Sequence, residues 1–388
     1  MPSRVPLAIL AAVATAALLG VRVGEAQERL SPAELAGHLD SLSAFDHAVR
    51  TTAARALRRA PAADVVPALT AAVRAHADQF VRFRALVLLT AFNDPGTADL
   101  IRSLLGDRND RLREVAYRWF ERHPDPGLAG PLVAALETEQ SEFVRPALVR
   151  AVAALPRSDS VQRALLAEVG RGFDFFRGAV IDALGQHRAT YALDAIAAVA
   201  SIEGPLQDDA VLALGRIGDP RARAALSGLQ SPSPEVTVAV QAAECLLGDP
   251  CASRIDWLAR QARQPAARPE VVRAAVAALG QLASQDPDAR AALVSAADGA
   301  VGRLRADVAL AVSAWALRQP EEMIAWMSQL PDTAGTAVMG LLREGFDRLE
   351  EDVAEEQFFA AARTAYWAAP DGSAVRRATA TLVDRLEF

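Results

Sequence analysis

Apolar and polar positions along this chain repeat on two scales. Over short stretches the apolar residues fall at helical spacing, as in Val49, Ala53, Ala56 and Leu57, or Val272, Val276 and Leu279. That is the period of one buried helix face. Over longer distances a whole element returns. An apolar residue followed by arginine opens a small-residue helix at Val49-Arg50. It recurs every 31 or 32 residues as Val81-Arg82, Leu112-Arg113, Val144-Arg145 and Phe176-Arg177. After a gap it reappears as Val272-Arg273, Leu304-Arg305 and Val375-Arg376. A fixed period of this length marks units that bury their apolar faces only against their neighbours.

Each unit reads as two antiparallel helices, A then B, with the apolar-Arg pair in B. The B helices are expected to start near Asp46, Asp78, Asn109, Ser141 and Asp174, residue types that accept hydrogen bonds from the free N–H groups of a helix start. The turns between units recur as Asn93-Asp94-Pro95-Gly96, Pro124-Asp125-Pro126, Gly218-Asp219-Pro220, Gly248-Asp249-Pro250 and Asp286-Pro287-Asp288. Proline ends one helix and is tolerated in the first turn of the next, and glycine supplies a left-handed closing residue. No run of alternating β-branched residues argues for sheet. The fold class expected is all-α, a right-handed solenoid of about eleven antiparallel helix pairs. Units at 205–229 and 235–263 lack the arginine, with Asp208 and Val238 near its place. Residues 27–58 are expected to cap one end. Residues 336–388, with a long acidic and aromatic helix near 351–369, are expected to cap the other. No linker divides 27–388 into separate domains.

Two stretches carry the pattern most clearly, AVLALGRIGDPRARAAL (210–226) and VRAAVAALGQLASQDPDARAALVSA (272–296). They resemble the HEAT-repeat family, and within it the HEAT-like units of phycobilin-lyase-type proteins. The resemblance implies a superhelix over essentially all of 27–388. It also implies a surface for protein partners, since most members act as scaffolds. A few handle bilins or damaged bases.

The first 26 residues read as a secretory signal: Arg4, an apolar run from Pro6 to Gly20, and small residues at Gly24 and Ala26. Cleavage would leave Gln27 first and no membrane span; an uncleaved anchor is the alternative. All 41 basic residues are arginine, so no lysine nucleophile or phosphate-loop lysine exists. The chain carries a formal net charge of −7. Most of the acidity lies beyond residue 190, and no basic stripe suits nucleic acid. Cys245 and Cys251 flank the Gly248-Asp249-Pro250 turn. In an exported protein they suit a disulfide, with two separately buried thiols as the alternative.

Arg50, Arg82, Arg113, Arg145, Arg177, Arg273 and Arg305 should align along one side of the array. They read either as a cationic strip for a partner's carboxylates or as a structural ladder in which each pairs with an acid near the adjacent B-helix start; the ladder is the reading preferred. Glu142, Asp174 and Glu270 lie three residues before their arginines, Asp46 and Asp78 four before. Partner-binding residues are expected beside this series on the inner face, at Arg84, Glu114, Arg118 and Arg150, and at Phe173 and Phe175 in an A-to-B turn, these two having burial beneath the neighbouring repeat as the alternative. Trp315, Trp326, Phe358, Phe359, Tyr366 and Trp367 suit an end-cap core. The run Glu350-Glu351-Asp352 with Glu355-Glu356 suits a solvated helix start. No HExxH, CxxC, GxSxG or glycine-rich phosphate loop occurs, and none of the five histidines has a metal-spaced partner.

The function expected is a non-catalytic protein-binding scaffold of the bacterial cell envelope, needing no cofactor and binding a protein or extended peptide along the solenoid surface, by its inner face. Eleven units at helix-packing distance give a contour on the order of 100 Å. The alternatives are a bilin or tetrapyrrole lyase-like protein or chaperone, and a membrane-tethered assembly factor.

Overall fold

The computed structural model describes residues 29–386 apart from 93, 231, 265–267, 350 and 351. The expected signal segment lies outside the described residues. Eleven helix pairs follow one another, with no strand among the described residues. The outer, A helices are α1 (Pro32–Ser41), α3 (Ala62–Ala75), α5 (Thr97–Ser103), α7 (Ala129–Thr138), α9 (Asp159–Val169), α11 (Leu193–Ala200), α13 (Ala222–Ser227), α15 (Ala252–Arg263), α17 (Pro287–Ser295), α19 (Pro320–Met327) and α21 (Asp352–Ala368). The inner, B helices are α2 (His47–Arg59), α4 (Gln79–Leu89), α6 (Asp110–Arg122), α8 (Arg145–Ala154), α10 (Asp174–Gln186), α12 (Gln207–Ile217), α14 (Pro234–Leu246), α16 (Pro269–Leu282), α18 (Arg303–Arg318), α20 (Asp332–Leu349) and α22 (Ala374–Leu386).

Local chemistry sets the helix starts. Asp46, Asp78 and Asn109 accept backbone N–H groups at the first turns of α2, α4 and α6. Two expected caps differ. Ser141 lies in a turn that ends at Val144, and Phe173, not Asp174, precedes the first residue of α10. The turns between units fall where the Gly/Asp-Pro signals lie; Asn93 itself is outside the described residues. Gly218 and Gly248 have φ of +74° and +90°, the left-handed conformation that glycine adopts without strain.

The apolar slot of the repeat fills the core. Val81, Leu112 and Val144 are fully buried and Phe176 nearly so. Val49, on the terminal pair, is exposed, and in α16 the buried residue is Val271 rather than Val272. Consecutive B helices pack through small residues. A Cβ placed on Gly215 would lie 2.6 Å from Ala243 Cα, one on Gly185 3.1 Å from Ala213 Cα, and one on Gly280 3.0 Å from Ala311 Cβ. Such close approach brings the B-helix backbones nearer to one another than ordinary side chains allow. A tighter inner layer than outer layer curves the array.

The array does not stay open. α21 packs against α4 and α6, some 250 residues earlier in the chain. Val353 is buried in the N-terminal apolar core. The Arg58 guanidinium on α2 binds the buried carboxylate of Glu356 on α21, its Nε donating to both oxygens at 2.8 and 3.0 Å. Arg122, at the end of α6, donates to the carbonyl of Leu317, at the end of α18, at 2.6 Å. The two ends of the solenoid therefore meet, and the stacked units form a closed ring. The expected solvated helix start is also corrected: Glu356 is 3% exposed and anchors the closure. Glu350, Glu351 and the side chain of Asp352 lie outside the described residues.

Candidate functional site

The arginine series divides between two roles. Arg82 donates to Asp107 at 2.8 Å, Arg113 grips Glu139 through two bonds of 2.8 Å, and Arg145 reaches Glu168 at 3.0 Å. Each acid belongs to the following unit: Asp107 and Glu139 lie in its A-to-B turn, and Glu168 in the last turn of its A helix. Each of these arginines therefore ties one unit to the next. Arg82, Arg113 and Arg177 also donate to carbonyls of their own units, at Val73 and Val169 near the ends of the A helices and at Asp107 in the A-to-B turn. Asp107 and Glu139 show the consequence. Burial works to raise both pKa values, yet hydrogen bonds from backbone amides and from Arg82 and Arg113 hold both below the usual carboxylate range.

The acids three or four residues before each arginine are mostly not its partners. Asp46 and Asp78 are helix caps; of the five only Asp174 pairs with its own arginine, Arg177, at 3.0 Å. Arg50 binds the carbonyls of Ala44 and Phe45. Arg305 bonds Glu344 on α20 at 3.0 Å. Arg273 is exposed and makes no hydrogen bond or ion pair among the described residues. The ladder is thus continuous from the second unit to the fifth and interrupted beyond it.

Inside the closed ring lies a cavity of about 1040 Å³. Its N-terminal wall comes from the inner faces of α2, α4 and α6, its opposite wall from α20 and α21. Three of the residues expected to bind a partner, Arg84, Glu114 and Arg118, line it. Glu114 and Arg118 are ion-paired at 2.9 Å. Arg150 lies on the same inner layer but outside the cavity, bonded to Glu121 at 3.3 Å. Phe173 and Phe175 lie elsewhere, on the A-to-B rim.

The cavity combines cations and rings. Phe80 and Phe83 face each other at 5.8 Å, with the guanidinium groups of Arg84 and Arg111 5.2–5.7 Å from their centroids. Phe143 stands at the rim, and Phe346 and Phe359 come from the closing helices. Arg58, Arg111, Arg343, Phe80 and Phe83 were not among the residues marked from sequence. One signal pointed to them: the net negative charge gathers in the second half of the chain, which supplies Glu355 and Glu356 to a wall whose other face carries Arg50, Arg58, Arg84, Arg111 and Arg118.

The A-to-B edge carries a second feature. Phe45, Phe143, Phe173, Phe175, Ile202 and Val301, all in or beside A-to-B turns, are mostly or fully exposed. On the opposite edge Cys245 and Cys251 are disulfide-bonded across the Gly248 turn, with Cα atoms 5.1 Å apart. In the C-terminal units Trp315 is buried and 5.3 Å from Trp326, and Phe358 and Phe359 pack edge-on against Phe346. Trp367 is exposed, with Arg376 over its ring. Among the described residues no helix is long and apolar enough to cross a membrane, and no three metal-ligating side chains gather.

Residues 35–119 match the model for HEAT repeats, and residues 206–229 that for the PBS lyase HEAT-like repeat. The chain carries HEAT-type repeats. No curated protein matches it. Solved structures similar to this HEAT-repeat chain include the TSC2 N-terminus, at 11% identity over 92% of this chain and 100% of that one, with a TM-score of 0.32. A structure of Kap95p with RanGDP gives 12% identity over 97% and 65%, with a TM-score of 0.39. One from work on the cadherin–beta-catenin interaction gives 16% over 91% and 86%, with a TM-score of 0.30.

Proposed function

We infer that this HEAT-repeat protein is a non-catalytic scaffold of the bacterial cell envelope that binds a partner protein along its A-to-B rim. The observation carrying this reading is the set of apolar side chains at Phe45, Phe143, Phe173, Phe175, Ile202 and Val301, exposed on one edge of a well-buried array. Exposed large apolar groups clustered on one surface mark interaction sites, and aromatic anchors dominate interface energetics. The rim takes over the role expected of the inner face, because the ring is closed and the ladder arginines are engaged within the fold. Export is supported by the N-terminal pattern of residues 1–26 and by the Cys245–Cys251 bond, which suits an oxidising compartment.

The test is site-specific photocrosslinking in the native cell envelope, with the crosslinker at Phe173 or Phe175 and, as a control, at the outer-helix residue Arg260. A discrete adduct from the rim positions, lost when Phe143 or Ile202 is changed to Ser, supports the reading. Adducts of equal yield from Arg260, or none from the rim, overturn it.

A further inference from the structure

We propose that the ring cavity is a binding site for a small amphipathic carboxylate, with an apolar body among the phenylalanines and its anionic head at Arg50 and Arg111. Three observations carry this. The cavity has the size of a ligand site, about 1040 Å³ against roughly 300–1,000 Å³ for typical small-molecule pockets. Its rings come from both ends of the chain: Phe80, Phe83 and Phe143 on one side, Phe346 and Phe359 on the other. Its charge is unbalanced, since six arginines and four carboxylates line it.

The excess cation is located at the start of the B helices. Arg50 donates only to the backbone carbonyls of Ala44 and Phe45, at 2.7 and 2.8 Å. Arg111 rests against the Phe80 and Phe83 rings and has no carboxylate within ion-pairing distance among the described residues. By contrast Arg58 and Arg118 are matched to Glu356 and Glu114. The unmatched charge therefore lies toward the A-to-B edge, while the Arg122–Leu317 bond joins the two sides of the ring at the opposite ends of α6 and α18. A ligand entering from that edge meets guanidinium groups that can grip a carboxylate through two parallel bonds, and rings that shield its tail from water. A cationic head would face Arg50 and Arg111 directly, and a ligand without an apolar body would leave the exposed Phe143 and half-buried Phe80 uncovered.

Isothermal titration of the full chain with dodecanoate, kept below its aggregation threshold, tests this. Dodecyltrimethylammonium supplies the same tail with the opposite head, and acetate the head alone. Dodecanoate is expected to saturate one site, with the other two at least about tenfold weaker. Losing charge-assisted bonds in an Arg50→Ala/Arg111→Ala variant should weaken dodecanoate about ten- to hundredfold. Arg260→Ala should leave it unchanged. Phe143→Asp changes an exposed side chain, so the fold survives, and places a carboxylate at the cavity edge; it should weaken binding as well. Equal binding of the cationic surfactant, binding indifferent to both variants, or no saturable binding would overturn the proposal.

Discussion

Replacing Glu356 by glutamine removes the charge that holds the ring closed. Arg58 is 13% and Glu356 4% exposed at the side chain, and the pair joins residues 298 apart in sequence. A buried pair broken on one side leaves an uncompensated charge, at a cost of about 3–5 kcal/mol. Glutamine still offers a carbonyl to the guanidinium, which lowers the expected loss to roughly 2–3 kcal/mol. The ring has a way to relieve that cost which a globular core lacks. Parting α21 from α4 and α6 returns Arg58 to water without unstacking any pair of neighbouring units. Small-angle scattering should therefore show the radius of gyration of Glu356→Gln rising by several ångströms while helical circular dichroism at 20 °C is retained. An Arg58→Met/Glu356→Leu double variant removes both charges and fills the same space, so it should close normally, since apolar replacement of a buried pair is commonly neutral or stabilising. If Glu356→Gln scatters like the parent and melts within about 0.5 kcal/mol of it, the ion pair does not hold the ring and the closure argument fails.

Gly215→Ala should destabilise by about 1–2 kcal/mol in urea, because overpacking against Ala243 outweighs the gain in helix propensity. Gly130→Ala, in α7 with nothing near its added Cβ, should stabilise by about 0.5–1 kcal/mol, and the opposite order would refute the packing account. Burial, then Asp208 and Asp182, raises the Asp209 pKa from 3.8 to about 6. A carboxylate raised in the fold opposes folding above that value and is relieved as pH falls toward 3.8. Asp209 is an exposed residue, so solvent screening cuts the roughly 3 kcal/mol that full shielding would give to at most about 1 kcal/mol. Asp209→Asn should thus be the more stable protein at pH 7.5, with the advantage gone near pH 4 in paired melts. Reduction of Cys245–Cys251 opens a short loop and should cost at most about 2 kcal/mol, and a larger loss in urea melts with and without reductant would contradict that local role.

The repeat was legible because its signals are local. Asp46, Asp78 and Asn109 cap helices within three residues of themselves, and the Gly218 and Gly248 turns need nothing beyond their own φ angles. Ser141 and Asp174 misled as caps because each B helix there begins where neighbouring packing lets it, and Val272 misled because α16 is set one residue out of register. The ladder was legible as a pattern but not in its partners. Asp107, Glu139 and Glu168 are contributed by the next unit, about 25 residues on. Ring closure was hidden for a stronger reason. It depends on the cumulative rotation between units, which contacts such as Gly185 on Ala213 and Gly280 on Ala311 set to within a few tenths of an ångström.

Closure also decides what arginine can do in each place. An arginine in the ladder is tied to an acid of the next unit, and Arg82 and Arg113 also to a carbonyl of their own, so it specifies register between units and is withdrawn from recognition. Arg58 and Arg122 act across the ring and specify curvature instead. Arg50 and Arg111 belong to neither group: they sit at the start of inner helices, Arg50 on backbone carbonyls and Arg111 beside the Phe80 and Phe83 rings, with no ion-paired acid among the described residues. An open solenoid would present all of these to one extended ligand as a single cationic strip. Once the ends meet, the strip divides. Its buried part becomes structural, its unmatched part faces the ring cavity, and the proposed contact with a partner falls to the apolar rim. The repeat that builds the fold thus becomes informative about recognition where it is broken, at Phe80, Arg111 and Phe143 rather than at the conserved spacing of the ladder itself.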